Sequence, residues 1–139
     1  MQVKSAAIRL STGGEQDAHD ITSQVQDLVT SSGVRNGTVT VFCPSSTSGL
    51  TTIEFEPGCI ADLHRLFNEI IPEEREYAHN RRWEDGNGHS HVRSALLGAS
   101  LTIPVVDGML ALGTWQQIVH LDFDVRPRQR ELVLQIMGD

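Results

Sequence analysis

The sequence contains very little lysine and few aromatic residues. Lys4 is the only lysine among 139 residues, against ten arginines, and aromatic residues make up 5% of the chain. Because Lys4 lies close to the N-terminus, Schiff-base chemistry on an interior lysine is excluded. Arginine instead suits the planar, two-pronged recognition of a carboxylate or phosphate group.

Cysteines and long apolar runs are also scarce. Cys43 and Cys59 are too few for a disulfide framework and do not have the spacing of metal ligands. We therefore predict two reduced thiols. No apolar stretch approaches membrane-spanning length, and the N-terminal segment lacks the apolar core of a signal peptide. These features predict a cytoplasmic protein that is neither exported nor inserted into a membrane.

Several functional motifs are missing. The chain has no Gly-x-x-x-x-Gly-Lys phosphate loop, no Gly-x-Gly-x-x-Gly fingerprint and no Gly-x-Ser-x-Gly elbow. Nucleotide hydrolysis, dinucleotide redox chemistry and serine hydrolase chemistry are therefore poor interpretations. The formal net charge of −7 also argues against binding to nucleic acid or to an anionic membrane. A small-molecule substrate is the expected partner.

The strand pattern runs along most of the chain. Apolar content of 39% and charged content of 21% are ordinary for a globular protein, and the length predicts a single domain over residues 1–139. Asp107-Gly108 between two apolar segments is a strong hairpin signal. Seven segments have the composition or alternation of strands: 3–10, 38–42, 50–55, 101–106, 109–112, 116–123 and 131–137.

Helical spacing of apolar residues marks two main segments. One covers residues 21–29, with Asp20 as its N-cap and Gly33 as its stop. The other covers residues 60–71 and ends at Pro72. A shorter helix is expected from Ser90, acting as N-cap, to a stop at Gly98. Strands that alternate rather than run continuously apolar favour a mainly antiparallel α+β fold, whose seven strands can form two packed sheets.

Three of the six histidines lie close together in a polar stretch. His79, His89 and His91 fall within residues 79–91, where few apolar neighbours could recruit histidine as packing. A His-x-His pair with a third histidine nearby can supply three nitrogen ligands to a metal. The alternative is a solvated loop whose histidines bond to backbone. Side chains two residues apart converge only in an extended segment, so a shared site requires residues 88–90 to be extended.

Several short strings of residues are more distinctive than the overall composition of the chain. They are STSGLTTIE at 46–54, YAH at 77–79, NGHSHVRSALLG at 87–98, IP at 103–104 and GTWQ at 113–116. In order and spacing they resemble the YjbQ-like family, whose members are often labelled secondary thiamine-phosphate synthases. The resemblance runs from about residue 5 to the C-terminus. It implies a seven-stranded β-sandwich with two main helices, a homotrimer around a threefold axis, and a metal-capable histidine site.

The chain departs from the family pattern at one site position. Ser45 stands where the family commonly has a histidine, whereas His79 and His91 match the two other site histidines. His89 stands where many relatives carry a residue that is not a ligand. We therefore hypothesise a rearranged metal site of His79, His89 and His91. The alternative is that metal binding has been lost with the family histidine.

The resemblance and the residue chemistry suggest further site residues. Glu54 matches an acidic position of the family and is predicted to be a general base or the acceptor that orients a metal-bound imidazole. Its alternative is a solvated strand carboxylate. Ser46 and Thr47 are candidate donors to a phosphate or a substrate hydroxyl, or else local turn residues. Arg93 is predicted to neutralise a phosphate.

Three residues are assigned to substrate binding. Asn87 belongs to the Asn-x-x-x-His string, the Trp115 ring is expected to stack on a pyrimidine, and the Gln116 amide to read its polar edge. The alternative for Trp115 is a buried structural role. His64 and His120 receive no role.

The resemblance implies a metal-dependent enzyme that joins hydroxymethylpyrimidine diphosphate to thiazole phosphate and releases pyrophosphate, if only as a side activity. Nitrogen ligands favour zinc most strongly, with nickel, copper or iron as alternatives, although pyrophosphate chemistry usually uses magnesium with carboxylates. The second candidate function is a metal-dependent hydrolase or lyase acting on a small phosphorylated or heteroaromatic metabolite. The third is a non-catalytic trimer that binds a metal or metabolite.

Overall fold

The computed structural model describes residues 1–139, which form eight strands and four helices. The strands are β1 (Gln2–Thr12), β2 (Asp17–Asp20), β3 (Gly37–Phe42), β4 (Ser48–Ile53), β5 (Ser100–Val106), β6 (Met109–Leu110), β7 (Gln117–Asp122) and β8 (Arg128–Gly138). The helices are α1 (Thr22–Ser32), α2 (Pro57–Ile70), α3 (Ala78–Trp83) and α4 (Gly88–Leu97).

The strands form two separate antiparallel sheets. The first has five strands in the order β1-β8-β3-β5-β6, and the second has three in the order β2-β7-β4. Every neighbouring pair is antiparallel. The predicted antiparallel α+β fold with two sheets is confirmed, although the strands number eight rather than seven.

The larger core lies between the two sheets. Alternate residues of the five-stranded sheet, such as Val39 and Leu134, point inward and pack with Leu50 and Ile118 of the other sheet. Helix α1 closes one side of this core through Val25. The burial of alternate strand residues is what the period-2 sequence pattern predicts.

A smaller core attaches α2 and α4 to the outer face of the three-stranded sheet. Phe67 of α2 packs edge-on against Phe123, with ring centroids 4.9 Å apart. Val119 and Leu121 belong to the same cluster, and Leu97 of α4 packs against it. Strand β7 is therefore covered on both faces, and α2 and α4 are held side by side above it.

Most of the predicted boundary signals operate as expected. Gly33 ends α1 in the left-handed conformation. The N-cap of α1 is Ile21 rather than the predicted Asp20, although the Asp20 carboxylate accepts a hydrogen bond from the Thr22 N–H. Asp107 and Gly108 both have positive φ, and they join β5 to β6 in a tight hairpin. Helix α2 begins earlier than predicted, because Glu56 caps it by accepting from the Gly58 and Cys59 N–H groups.

Two elements were not predicted, and one helix begins at a different residue. Strand β2 has the polar sequence Asp-Ala-His-Asp and is defined by its pairing with β7, which no local pattern reveals. Helix α3 was predicted to be loop, because its six residues lack apolar periodicity. Helix α4 begins at Gly88, so Ser90 is not its N-cap. Instead, the Ser90 hydroxyl donates to the Phe123 carbonyl at 2.6 Å. None of the four helices is long and apolar enough to cross a membrane.

Candidate functional site

The turn between α3 and α4 brings two of the predicted metal ligands together. The imidazole rings of His79 on α3 and His91 on α4 have centroids 4.4 Å apart. His79 Nδ1 lies 3.2 Å from an Asp85 carboxylate oxygen but does not form a well-directed hydrogen bond with it. Both histidines are half-buried. Two partly exposed imidazole rings therefore lie next to each other at this turn.

The third predicted ligand lies apart from this pair. Because residues 88–90 are helical rather than extended, His89 and His91 project from nearly opposite sides of α4. The His89 ring is only 3% exposed and lies beside Tyr77, with centroids 6.3 Å apart. Only Glu54, Glu56 and Cys59 form a group of three such side chains with ligand atoms within 4.8 Å. The predicted convergence of His79, His89 and His91 is therefore wrong within one chain.

A close backbone approach fixes the start of α4. A Cβ atom added to Gly88 would lie 2.4 Å from the Cβ of Tyr77, so only glycine fits here. The Gly88 N–H donates to the Asn80 side chain at 2.8 Å, which ties the start of α4 to α3. This contact sets the relative position of the two helices that carry His79 and His91.

Thr47 and Asn87 take part in a buried polar network beneath the start of α4. The Thr47 hydroxyl donates to Asp124 at 2.9 Å and accepts from Arg130 at 2.8 Å. The Asn87 side-chain oxygen accepts from the Val125 N–H at 3.3 Å. Both side chains are buried, so the structure gives them a structural role rather than free contact with a substrate.

Arg130 and Asp122 form the centre of that network. Arg130 contacts both Asp122 carboxylate oxygens, at 2.7 and 2.9 Å, and Asp122 is fully buried. Burial alone raises the pKa of Asp122, but hydrogen bonds from Arg130, Thr12 and the Asp124 N–H lower it. The carboxylate is thus held ionised under the site.

The other predicted catalytic residues are dispersed. Ser46 is exposed, and Ser45 lies in the same loop, where its hydroxyl accepts from the Thr47 N–H. Glu54 lies between β4 and α2, next to Glu56 and Cys59, in a group that contains no histidine. The exposed fraction of Trp115 is 72%, which rules out the buried structural alternative within this chain. The Gln116 amide is held by Thr52, to which it donates at 3.1 Å.

Arg93 lies with His89, on the side of α4 away from His91. Its side chain is buried and lines a pocket of about 310 Å³ together with Gln16, His64 and Glu73. Burial lowers the pKa of Arg93. The pKa of His89 is also lowered, mainly by burial and to a lesser extent by the positive charge of Arg93 nearby. The predicted role of Arg93, which is to neutralise a phosphate, stays a prediction, but this placement separates Arg93 from His91.

Sequence reasoning missed three features of the site. The sequence assigns no role to His64, yet it lines the same pocket as His89. Asp85 could have been found, because a carboxylate near a candidate ligand often orients its ring. The pairing of Asp122 with Arg130 spans two strands and leaves no local signal.

Comparison with known proteins identifies the family. The family model described as "UPF0047 protein YjbQ-like" matches residues 6–139. A UPF0047 protein of Methanothermobacter thermautotrophicus is 37% identical over 138 residues, covering 99% of this chain and 94% of the relative. YugU of Bacillus subtilis is 34% identical over 132 residues, covering 94% and 97% of the two chains.

Solved structures agree with this assignment. A YbjQ-like protein of unknown function from Sulfolobus solfataricus superimposes with a TM-score of 0.93 at 31% identity, covering 99% of each chain. A YjbQ/UPF0047 protein from Clostridium acetobutylicum, an orthologue of YugU, gives a TM-score of 0.87 at 34% identity, covering 95% of this chain and 99% of that one. The chain therefore belongs to the YjbQ-like, or UPF0047, family.

Proposed function

We propose that this protein is a metal-dependent enzyme acting on small phosphorylated or heteroaromatic molecules, with His79 and His91 as metal ligands. The observation that carries the proposal is the 4.4 Å separation of these two partly exposed rings. Two imidazoles contributed by adjoining helices are a common basis for a transition-metal site.

The surroundings of His79 fit this role. Histidines that bind metals usually donate their other ring N–H to a carboxylate, which fixes the ring orientation. An Asp85 carboxylate oxygen lies 3.2 Å from Nδ1, and a small rotation of the ring would direct this hydrogen bond and leave Nε2 of His79 for an ion. One chain supplies two imidazoles here, because Ser45 stands where the family resemblance implies a further histidine. The remaining ligand positions would be filled by substrate or water.

The specific reaction we propose is the joining of hydroxymethylpyrimidine diphosphate to thiazole phosphate, with release of pyrophosphate. A bound divalent ion would supply the positive charge that this displacement needs. The exposed Trp115 ring is free to stack on a heteroaromatic substrate. The buried Asp122–Arg130 network would hold the underside of the site rigid, since neither group contacts solvent freely.

A second candidate reaction follows from the donor set. Two imidazoles beside a carboxylate prefer zinc, nickel, copper or iron to magnesium, whereas pyrophosphate chemistry usually employs magnesium. A hydrolase or lyase acting on a small phosphorylated or heteroaromatic metabolite would use such a metal more directly. The third candidate is a non-catalytic metal- or metabolite-binding trimer. The position of Glu54, grouped with Glu56 and Cys59 rather than with histidines, favours this third candidate.

We also propose that the active form is a homotrimer, built on the outer face of the five-stranded sheet. Several apolar side chains on this face are exposed, including Val3, Phe42, Val133 and Met137. Phe42 is paired with Val133, and Val3 with Met137, so these residues lie in cross-strand rows. Burial of such rows between chains would remove apolar area from water.

The activity test uses purified protein loaded with zinc or with magnesium. Thiamine phosphate is measured after incubation with both substrates, and the same preparations are screened against phosphate esters and cyclic amides. We expect His79→Ala and His91→Ala each to lose activity and His19→Ala to retain it. His19 is a matched control, because it also pairs with an aspartate and is 33% exposed, against 31% for His79. Metal-loaded protein that makes no thiamine phosphate excludes the first reaction, and turnover on the panel then supports the second.

A further inference from the structure

Arg93 is a buried cation without an anionic partner. Its exposed fraction is 3%, yet none of the ion pairs in the chain includes it. Its Nε donates to the Ile71 carbonyl at 2.9 Å and its Nη2 donates to the Asn68 side-chain oxygen at 3.2 Å. A guanidinium has five N–H donors, so three remain. Burial of an unpaired charge is costly, and buried charges are normally paired.

The pocket beside Arg93 contains further polar atoms without partners. All seven residues lining its volume of about 310 Å³ are polar or charged. His64 Nε2, His89 Nδ1 and Gln16 Oε1 are buried and make no hydrogen bond within the chain. The His89 residue as a whole is only 3% exposed. Buried polar atoms are nearly always hydrogen-bonded, so three such atoms around one pocket indicate a site for a polar molecule.

The charges at the pocket narrow the class of ligand. The planar guanidinium of Arg93 matches a carboxylate or a phosphate through paired hydrogen bonds. The carboxylates of Glu15 and Glu73 are exposed and line the same pocket. They would repel a doubly charged phosphate and attract an ammonium group. A molecule that carries one carboxylate and one amine satisfies both sets of charges.

We propose that this pocket, between α2 and the buried face of α4, binds a small aminocarboxylate of amino-acid size. The carboxylate lies against Arg93, and the ammonium group faces Glu15 and Glu73. The volume lies at the lower end of the range for small-molecule pockets, which suits such a ligand. His91 projects from the other side of α4, so this site is separate from the proposed metal site and does not depend on it.

The test is a titration of the full-length wild-type protein with each of the twenty common amino acids. Binding is monitored by calorimetry and by amide NMR. Acetate, butyrate and inorganic phosphate are the comparison probes. We expect at least one amino acid to bind at least tenfold more tightly than acetate or phosphate. Amide shifts should occur in α2 and in the start of α4. Absence of binding by every amino acid at millimolar concentration would overturn the proposal, as would a preference for phosphate.

Variants locate the site. Arg93→Gln should weaken binding at least tenfold, whereas Arg65→Gln, an exposed arginine of α2, should leave it unchanged. Because Arg93→Gln also alters a buried contact, Glu73→Gln provides a second test at an exposed position. In Glu73→Gln, the ratio of the affinity for the amino acid to the affinity for the same acid without its amino group should fall at least threefold. Unchanged affinity and selectivity in a folded Glu73→Gln protein would contradict the proposed placement of the amine.

Discussion

The imidazole rings of His79 and His91 lie 4.4 Å apart, although twelve positions separate the two residues in the sequence. Their proximity depends on the left-handed residue Glu84, which ends α3, and on the contact of Gly88 with Tyr77, which starts α4. The proposed metal site is thus a product of the α3–α4 turn. On the other side of α4, His89 and Arg93 line a different pocket.

Arg130 is expected to be among the most important side chains for stability. Arg130→Met would leave Asp122 as a fully buried carboxylate without its charged partner. Removal of one partner from a buried ion pair costs about 3–5 kcal/mol. We expect a loss of this size in the free energy of unfolding, measured by urea denaturation.

A matched control for Arg130 lies on the paired edge strand. Arg9 of β1 forms an ion pair with Glu131, but its side chain is 84% exposed. Arg9→Met should therefore cost less than about 1 kcal/mol. Equal effects of the two substitutions would show that the Asp122–Arg130 pair contributes no more than a surface pair.

The sequence predicts the regular elements of the fold better than it predicts the site. Asp107-Gly108 and Gly33 act through local backbone geometry, so their turn and helix end were predicted correctly. Strand β2 was missed, because its pairing with β7 is a long-range contact. The predicted convergence of His79, His89 and His91 also depends on a long-range contact. Whether His89 and His91 converge depends on where α4 begins, and the contact of Gly88 with Tyr77 lies outside any local pattern.

His120 is expected to make the fold sensitive to mild acid. The ring is fully buried, and neither ring nitrogen has a hydrogen-bond partner. Burial lowers the pKa of His120 from 6.5 to about 4. The folded protein therefore keeps the ring neutral, while the unfolded chain binds a proton below pH 6.5. The free energy of unfolding is therefore not reduced by His120 above pH 6.5. It decreases as the pH falls from there towards about 4, by about 3 kcal/mol in all.

Urea denaturation at about pH 7.5 and pH 4.5 measures this loss. His120→Leu replaces the ring by an apolar side chain and removes no hydrogen bond. The variant should therefore lose clearly less stability than the wild type between the two pH values. An equal loss in both proteins would mean that other groups cause the acid sensitivity.

The proposed trimer predicts the mass of the protein in solution. Light scattering on untagged protein should give about three times the 15.3 kDa mass of the chain. Phe42→Glu places a charge within the exposed apolar rows of the five-stranded sheet and should yield monomers. Leu96→Glu, at an exposed position of α4, should remain trimeric. A wild-type monomer at high concentration, or dissociation by Leu96→Glu alone, would contradict the proposed interface.

Metal content tests the proposed site most directly. Elemental analysis of untagged protein is expected to find about one transition-metal ion per chain, with zinc favoured because it accepts imidazole ligands and keeps an open position. His79→Ala and His91→Ala should each lower the metal content at least tenfold. His89→Ala should retain it, because His89 lies on the other side of α4. Wild-type protein without metal after incubation with zinc, or loss of metal in His89→Ala but not in His91→Ala, would contradict the two-histidine site.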